Sequence, residues 1–124
     1  MGRQATTALL AGALLLAAAG ASATEQRLGG AEIQATLAGN SVHGTWGSTE
    51  YWSYFDPGGT TLYRTARGTE AGQWRVKGDQ YCSVWPMSGE SCYGLARDGD
   101  QLIWLTGEGK RYPSTVSSGM AAGF

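Results

Sequence analysis

The chain has a single histidine, His43, and only two cysteines, Cys82 and Cys92. One imidazole cannot complete a tetrahedral zinc set with them, and their spacing is not that of a CxxC redox motif. Clustered cations are missing as well, since the basic residues are dispersed with no run or stripe. That argues against nucleic acid as a partner, because phosphate neutralisation needs grouped charge, and against electrostatic docking on a membrane. The overall balance is near neutral, with 9 Lys and Arg against 10 Asp and Glu. The one extended apolar run, Ala8 to Ala19, is too short to span a bilayer comfortably.

That run has a purpose of its own. Arg3 precedes it and the small residues Ala21-Ser22-Ala23 follow it, the pattern of a secretory signal peptide over 1–23. No Cys stands directly after the run, so a lipid anchor at the cleavage site is not expected. The mature chain is expected to begin at Thr24 and to be periplasmic or secreted, with no stable membrane anchor after cleavage. In an oxidising compartment an even pair of cysteines implies a Cys82–Cys92 disulfide, the alternative being two buried free thiols. Closing so short a loop stabilises by roughly 3 kcal/mol in the chain-entropy model.

What the chain does hold in quantity is glycine, 20 residues, and tryptophan, 5 residues. Gly marks turns and Trp supplies core area to a domain too short to bury a large fraction of its surface. Leu28 to Leu37 offers a short helix, with Ile33 and Leu37 on one face and Gly39 as a left-handed cap. Gly29-Gly30 is expected to loosen its approach. From Ser41 the period becomes two. Ser41–Trp46, Glu50–Phe55, Thr60–Ala66, Gln73–Lys77, Gln80–Trp85, Ser91–Arg97 and Gln101–Thr106 read as strands. Their connections are too short for helices, so the sheet is an antiparallel meander. After Tyr112-Pro113 the chain turns Ser/Gly/Ala-rich and reads as a tail. The expected division is a leader over 1–23, one small β-rich domain over 24–112 and a flexible tail over 113–124.

Turn chemistry sets registers. Gly78-Asp79 places Val76 opposite Tyr81 and Trp74 opposite Ser83. Asp98-Gly99 places Leu95 opposite Leu102 and Tyr93 opposite Trp104. A four-residue reversal, Asp56-Pro57-Gly58-Gly59, places Trp52 opposite Tyr63, with Tyr54 beside them. Alternation then collects Trp52, Tyr54, Tyr63, Trp74, Tyr81, Trp85, Tyr93 and Trp104 on one face. The other face carries Arg64, Arg75, Lys77 and both cysteines.

The segment Tyr54-Phe55-Asp56-Pro57-Gly58-Gly59-Thr60, then Gly72-Gln73-Trp74-Arg75-Val76, then Tyr81-Cys82 and Cys92-Tyr93, resembles a family of small exported proteins of Gram-negative bacteria. The family pattern is a Leu-x-Gly-Asn segment, met here by Leu37 to Asn40, a YF-x-x-Gly-Thr hairpin, a Gly-x-Trp-x-Val strand and two Cys. Gly58 stands where the family usually has Asp, which loosens the turn. The match runs from Leu28 to Trp104 and rests on turn and core residues. It implies a fold and brings no activity or catalytic residue with it.

Candidate chemistry is sparse. His43 could serve as a base or a haem ligand, but Ser41 and Thr45 beside it do not make a nucleophile, base and orienter set. Asp98 and Asp100 flank Gly99 as in a calcium loop yet lack the further ligands, and a hairpin turn explains them. Glu50, Glu70, Glu90 and Glu108 read as solvated rim charges rather than a glycosidase pair. The aromatic face is first of all a core covered by the helix. Its sharper reading is the inside of a curled sheet that holds an apolar ligand among Trp52, Tyr63, Trp74, Tyr81, Trp85, Tyr93 and Trp104.

The fold class is therefore α+β and mostly β: a short N-terminal helix on a curved antiparallel meander of about seven strands, partly closed towards a barrel, with one disulfide. The expected function is a non-catalytic module that binds a small apolar ligand or an envelope protein, without cofactor or metal. The alternative is a protein-directed inhibitor or envelope-assembly factor acting through a sheet edge or loops.

Overall fold

A computed structural model describes Gly2 and residues 25–124; the expected signal peptide and the expected start at Thr24 lie, Gly2 apart, outside the described residues. In chain order the elements are β1 (Glu25–Arg27), α1 (Gly30–Leu37), β2 (Asn40–Trp46), β3 (Thr49–Phe55), β4 (Thr60–Thr65), β5 (Gly68–Lys77), β6 (Gln80–Trp85), β7 (Ser88–Asp98), β8 (Gln101–Leu105) and β9 (Arg111–Ser118). Strands β2 to β9 follow one another around a closed antiparallel eight-strand barrel, and β9 returns to pair with β2. β1 joins from outside the ring, pairing with the end of β7 beyond the part that β6 covers.

The mostly-β class, the single short helix, the meander and the Cys82–Cys92 disulfide stand as the sequence implied. Two parts are corrected. The described residues hold nine strands rather than about seven, and the expected tail over 113–124 supplies most of β9, the strand that closes the barrel. Small residues hid it. Tyr112, Ser114 and Val116 alternate towards the core, but only Ser114 among them is fully buried. Past β9 the chain is still held: the Ser41 hydroxyl donates to the Gly119 carbonyl and accepts from the Ala121 N–H.

The helix closes one end of the barrel. Ile33 and Leu37, four apart, are both wholly buried, as one apolar stripe requires. The Glu32 carboxylate accepts from the Gly29 N–H, and Asp79 in the β5–β6 turn accepts from the Gly30 N–H at 2.8 Å. A Cβ on Gly30 would stand 2.2 Å from the Gly78 carbonyl oxygen. Gly29-Gly30 therefore fastens the helix to the barrel end rather than loosening it. Gly39, at φ 77°, ends the helix and hands its N–H to the Phe55 carbonyl.

Registers decide what points inward. Val76 faces Tyr81 and Trp74 faces Ser83, as the Gly78-Asp79 turn requires. In the next hairpin the turn residues are Gly99-Asp100, so Leu95 faces Trp104 and Arg97 faces Leu102. This is a shift of two from the sequence expectation, and a shift of two keeps every side chain on its face. The β3–β4 hairpin differs by one. Its loop is the three residues Pro57-Gly58-Gly59, with the Gly59 N–H on the Asp56 carbonyl, Gly59 at φ 109°, and the Asp56 N–H closing onto Thr60. Ser53 therefore faces Tyr63, and Trp52 faces Arg64. Trp52 and Tyr54 lie on the outer face, and Tyr51 and Phe55 take the inward places.

The helix half of the barrel is solid. Leu28, Ile33, Leu37, Val42, Leu95 and Leu102 are buried there with Trp74, whose indole N–H donates to the Asp56 carbonyl at 2.9 Å. Phe55 sets the upper limit of this packing, meeting Trp74 and Tyr81 edge-on at 5.6 Å each.

Candidate functional site

Above Phe55 the barrel is not filled. A cavity of about 590 Å³ opens at the end opposite the helix, where the Gly47-Ser48, Ala66-Arg67 and Pro86-Met87 turns stand. Phe55, Tyr81 and Trp104 form its floor, and Tyr51, Tyr63 and Tyr93 its walls. Trp46, Trp85, Glu70 and the exposed Met87 surround the mouth.

Each ring is set by its strand. Tyr81 and Trp104 meet edge-on at 5.0 Å, and the Trp104 indole N–H donates to the Ser114 hydroxyl, which donates in turn to the Leu102 carbonyl. Trp46 stacks on Tyr112 at 4.1 Å and meets Tyr93 edge-on. One ring at the mouth and one in the wall use glycines on the neighbouring strand. A Cβ on Gly72 would lie 2.7 Å from Cε3 and 2.9 Å from Cδ2 of Trp85, so the indole rests on bare backbone. A Cβ on Gly44 would lie 3.1 Å from the Tyr51 hydroxyl. Each glycine gives width that a side chain would remove.

The polar groups are few. The Trp85 indole N–H donates to the Ser83 hydroxyl at 3.1 Å. The Tyr51 hydroxyl is buried and makes no well-formed hydrogen bond. Ser114 and Trp104 beside it offset only part of that burial, and its pKa is pushed up to about 12. Burial pushes Tyr81 higher still. It raises Tyr63 too, with the nearby Glu70 carboxylate as a second cause. Tyr51, Tyr63 and Tyr81 therefore keep their hydroxyls protonated at ordinary pH.

Of the aromatics singled out in the sequence, Tyr63, Tyr81, Trp85, Tyr93 and Trp104 line this cavity. Trp74 does not; it lies in the solid half beneath the floor. Trp52 is on the outer face, half-buried, with the Arg64 guanidinium 4.1 Å above its ring. Sequence reasoning missed Trp46, Tyr51 and Phe55. Tyr51 and Phe55 become legible once the 57–59 loop is counted as three residues, because they then alternate with Ser53.

The other candidates stand apart. His43 has closer partners than the hydroxyls expected for it: its ring stacks on Trp52 at 4.6 Å and its Nε2 lies 3.0 Å from Glu50. Ser41 is held by the C-terminal segment and does not join them. Glu90 accepts from Lys77 and Arg75 on the outer face, and these bonds, Lys77 first, lower its pKa. Among the described residues the one cluster with metal-ligating atoms in mutual reach is Cys82, Glu90 and Cys92, and its sulfurs are bonded to each other. No helix among the described residues is long and apolar enough to cross a membrane. No family model, curated protein or solved structure matches this chain.

Proposed function

We propose that the protein is a non-catalytic binding module that takes a small apolar or aromatic molecule into the open end of its barrel. The observation that carries this reading is the cavity itself. Its volume of about 590 Å³ falls within the range of small-molecule sites, and its floor and walls are aromatic with few polar groups. Eight strands give a barrel interior that side chains just fill or that holds one small ligand. Here the helix half does the first and the open half has room for the second. Work in the periplasm or outside the cell fits the disulfide and the leader expected over 1–23.

The competing reading, a protein partner captured through a sheet edge, has little to use. Closure removes edges from β2 to β9, and β1 offers three residues.

Titration calorimetry of the mature protein with indole and naphthalene tests the proposal. Wild type is expected to bind at one saturable site. Ser53→Phe, which places a ring inside the barrel, is expected to weaken binding at least about tenfold, or ~1.4 kcal/mol. Trp85→Ala removes one stacking surface and is expected to cost about 3- to 10-fold. Trp52→Ala, on the outer face, is expected to leave affinity unchanged. Absence of binding to wild type, or loss in Trp52→Ala with none in the two cavity variants, overturns the proposal.

A further inference from the structure

We propose that the molecule this cavity takes is a cation, an organic ammonium carrying apolar or aromatic substituents, rather than a carboxylate or phosphate. The inference rests on the ligand-binding reading above and deepens it. Among the described residues that line the cavity, Glu70 is the only charged one, and none is Lys, Arg or His. A buried anion would find no counter-charge there, and an unpaired buried charge is costly. A cation finds two kinds of partner. Ring faces attract it through their quadrupoles, Trp most strongly, and Trp46, Trp85 and Trp104 all border the space. The Glu70 carboxylate stands at the mouth, opposite Tyr63 across β4 and β5.

The remaining charges at this end do not reverse that sign. Glu108 and Lys110 in the β8–β9 connection lie 3.8 Å apart and offset each other. Glu50 is engaged with His43 on the outer face. Arg67 sits in the β4–β5 turn and is not among the lining residues.

The test compares three probes with one naphthalene body: naphthylmethyl-trimethylammonium, naphthalenemethanol and naphthoate. Calorimetry at low ionic strength is run on the mature wild type and on Glu70→Gln, whose exposed position makes misfolding a minor concern. The ammonium probe is expected to bind about tenfold more tightly than the alcohol, and naphthoate most weakly. Glu70→Gln is expected to weaken the ammonium probe about 3-fold and to leave the alcohol unchanged. Naphthoate binding as well as the ammonium probe, or the alcohol equalling it, overturns the cation inference while leaving the cavity reading intact. Failure of all three probes overturns both.

Discussion

Tyr51 shows at the scale of one residue what the open half of the barrel costs. Its ring reaches over Gly44, and its hydroxyl lies beside Ser114 without a well-formed bond. Removing that hydroxyl leaves no partner orphaned, so Tyr51→Phe should be near neutral at pH 7. The difference appears in alkali. The free phenol titrates near 10.0, and burial moves Tyr51 to about 12. Between these values the native state holds a proton that the unfolded chain has lost. Stability should therefore fall as pH rises above about 10, by up to ~1.4 kcal/mol per pH unit for each such group. Tyr81, raised further by burial, adds a loss of the same sign. Urea unfolding at about pH 9 and pH 11 checks this: the wild-type midpoint should drop, and Tyr51→Phe should lose about 1.4 kcal/mol less. Equal losses in both proteins would mean that Tyr51 is not buried as described.

At the scale of elements, β9 matters most. It pairs with β8 along Arg111 to Thr115 and with β2 from Ser114 onward. Pro113, which has no N–H to donate, sits where the pairing to β2 ends. Deleting residues 111–124 would expose the edges of β2 and β8 and open the half-filled interior to water. That truncation is expected to lose the β-sheet circular dichroism spectrum and cooperative melting. Deleting 119–124 alone, which removes the bonds to Ser41 and the Arg64 contact with Ala122, should leave the fold in place. A native-like spectrum from the longer truncation would contradict the closed barrel.

Elements also show where the sequence could be read and where it could not. The Gly78-Asp79 turn has an even, two-residue loop, and its register followed directly from it. The 99–100 turn was displaced by one position on both strands, which left Leu95, Leu102, Tyr93 and Trp104 on the inward face. In the 57–59 loop, Gly59 at positive φ turned an apparent four-residue reversal into a three-residue one. That single residue exchanged Trp52 and Tyr54 for Tyr51, Ser53 and Phe55. β9 was hidden because Ser114 must be small where the Tyr51 hydroxyl lies against Gly44, so its apolar signal is weak. Half of the site was legible as one aromatic face. Which rings fill the core and which border open space depends on how deep the helix sits, and local spacing does not carry that.

At the scale of the molecule, one barrel is used in two ways. The helix drives Ile33 and Leu37 into one end, Leu28 enters from the segment before it, and together they make that end core. The disulfide ties β6 to β7 on the outside, next to the point where β7 bulges between its pairings with Val84 and Trp85. A bulge at a barrel rim bends the strand and increases its local twist. A domain of this length has a small margin of stability, and it keeps that margin in the closed half. Trp46, Trp85, Glu70 and Met87 surround the mouth of the open half. The function proposed for the unfilled half is to hold a ligand.

The most direct measurement is an isotope-filtered nuclear Overhauser spectrum of the labelled mature protein saturated with unlabelled naphthalene. Expected are contacts from the ligand to ring protons of Phe55, Tyr81 and Trp104, and none to Trp74 beneath the floor or Trp52 on the outer face. Contacts confined to the outer face, or no contacts at saturating ligand, would contradict a ligand site in the open half.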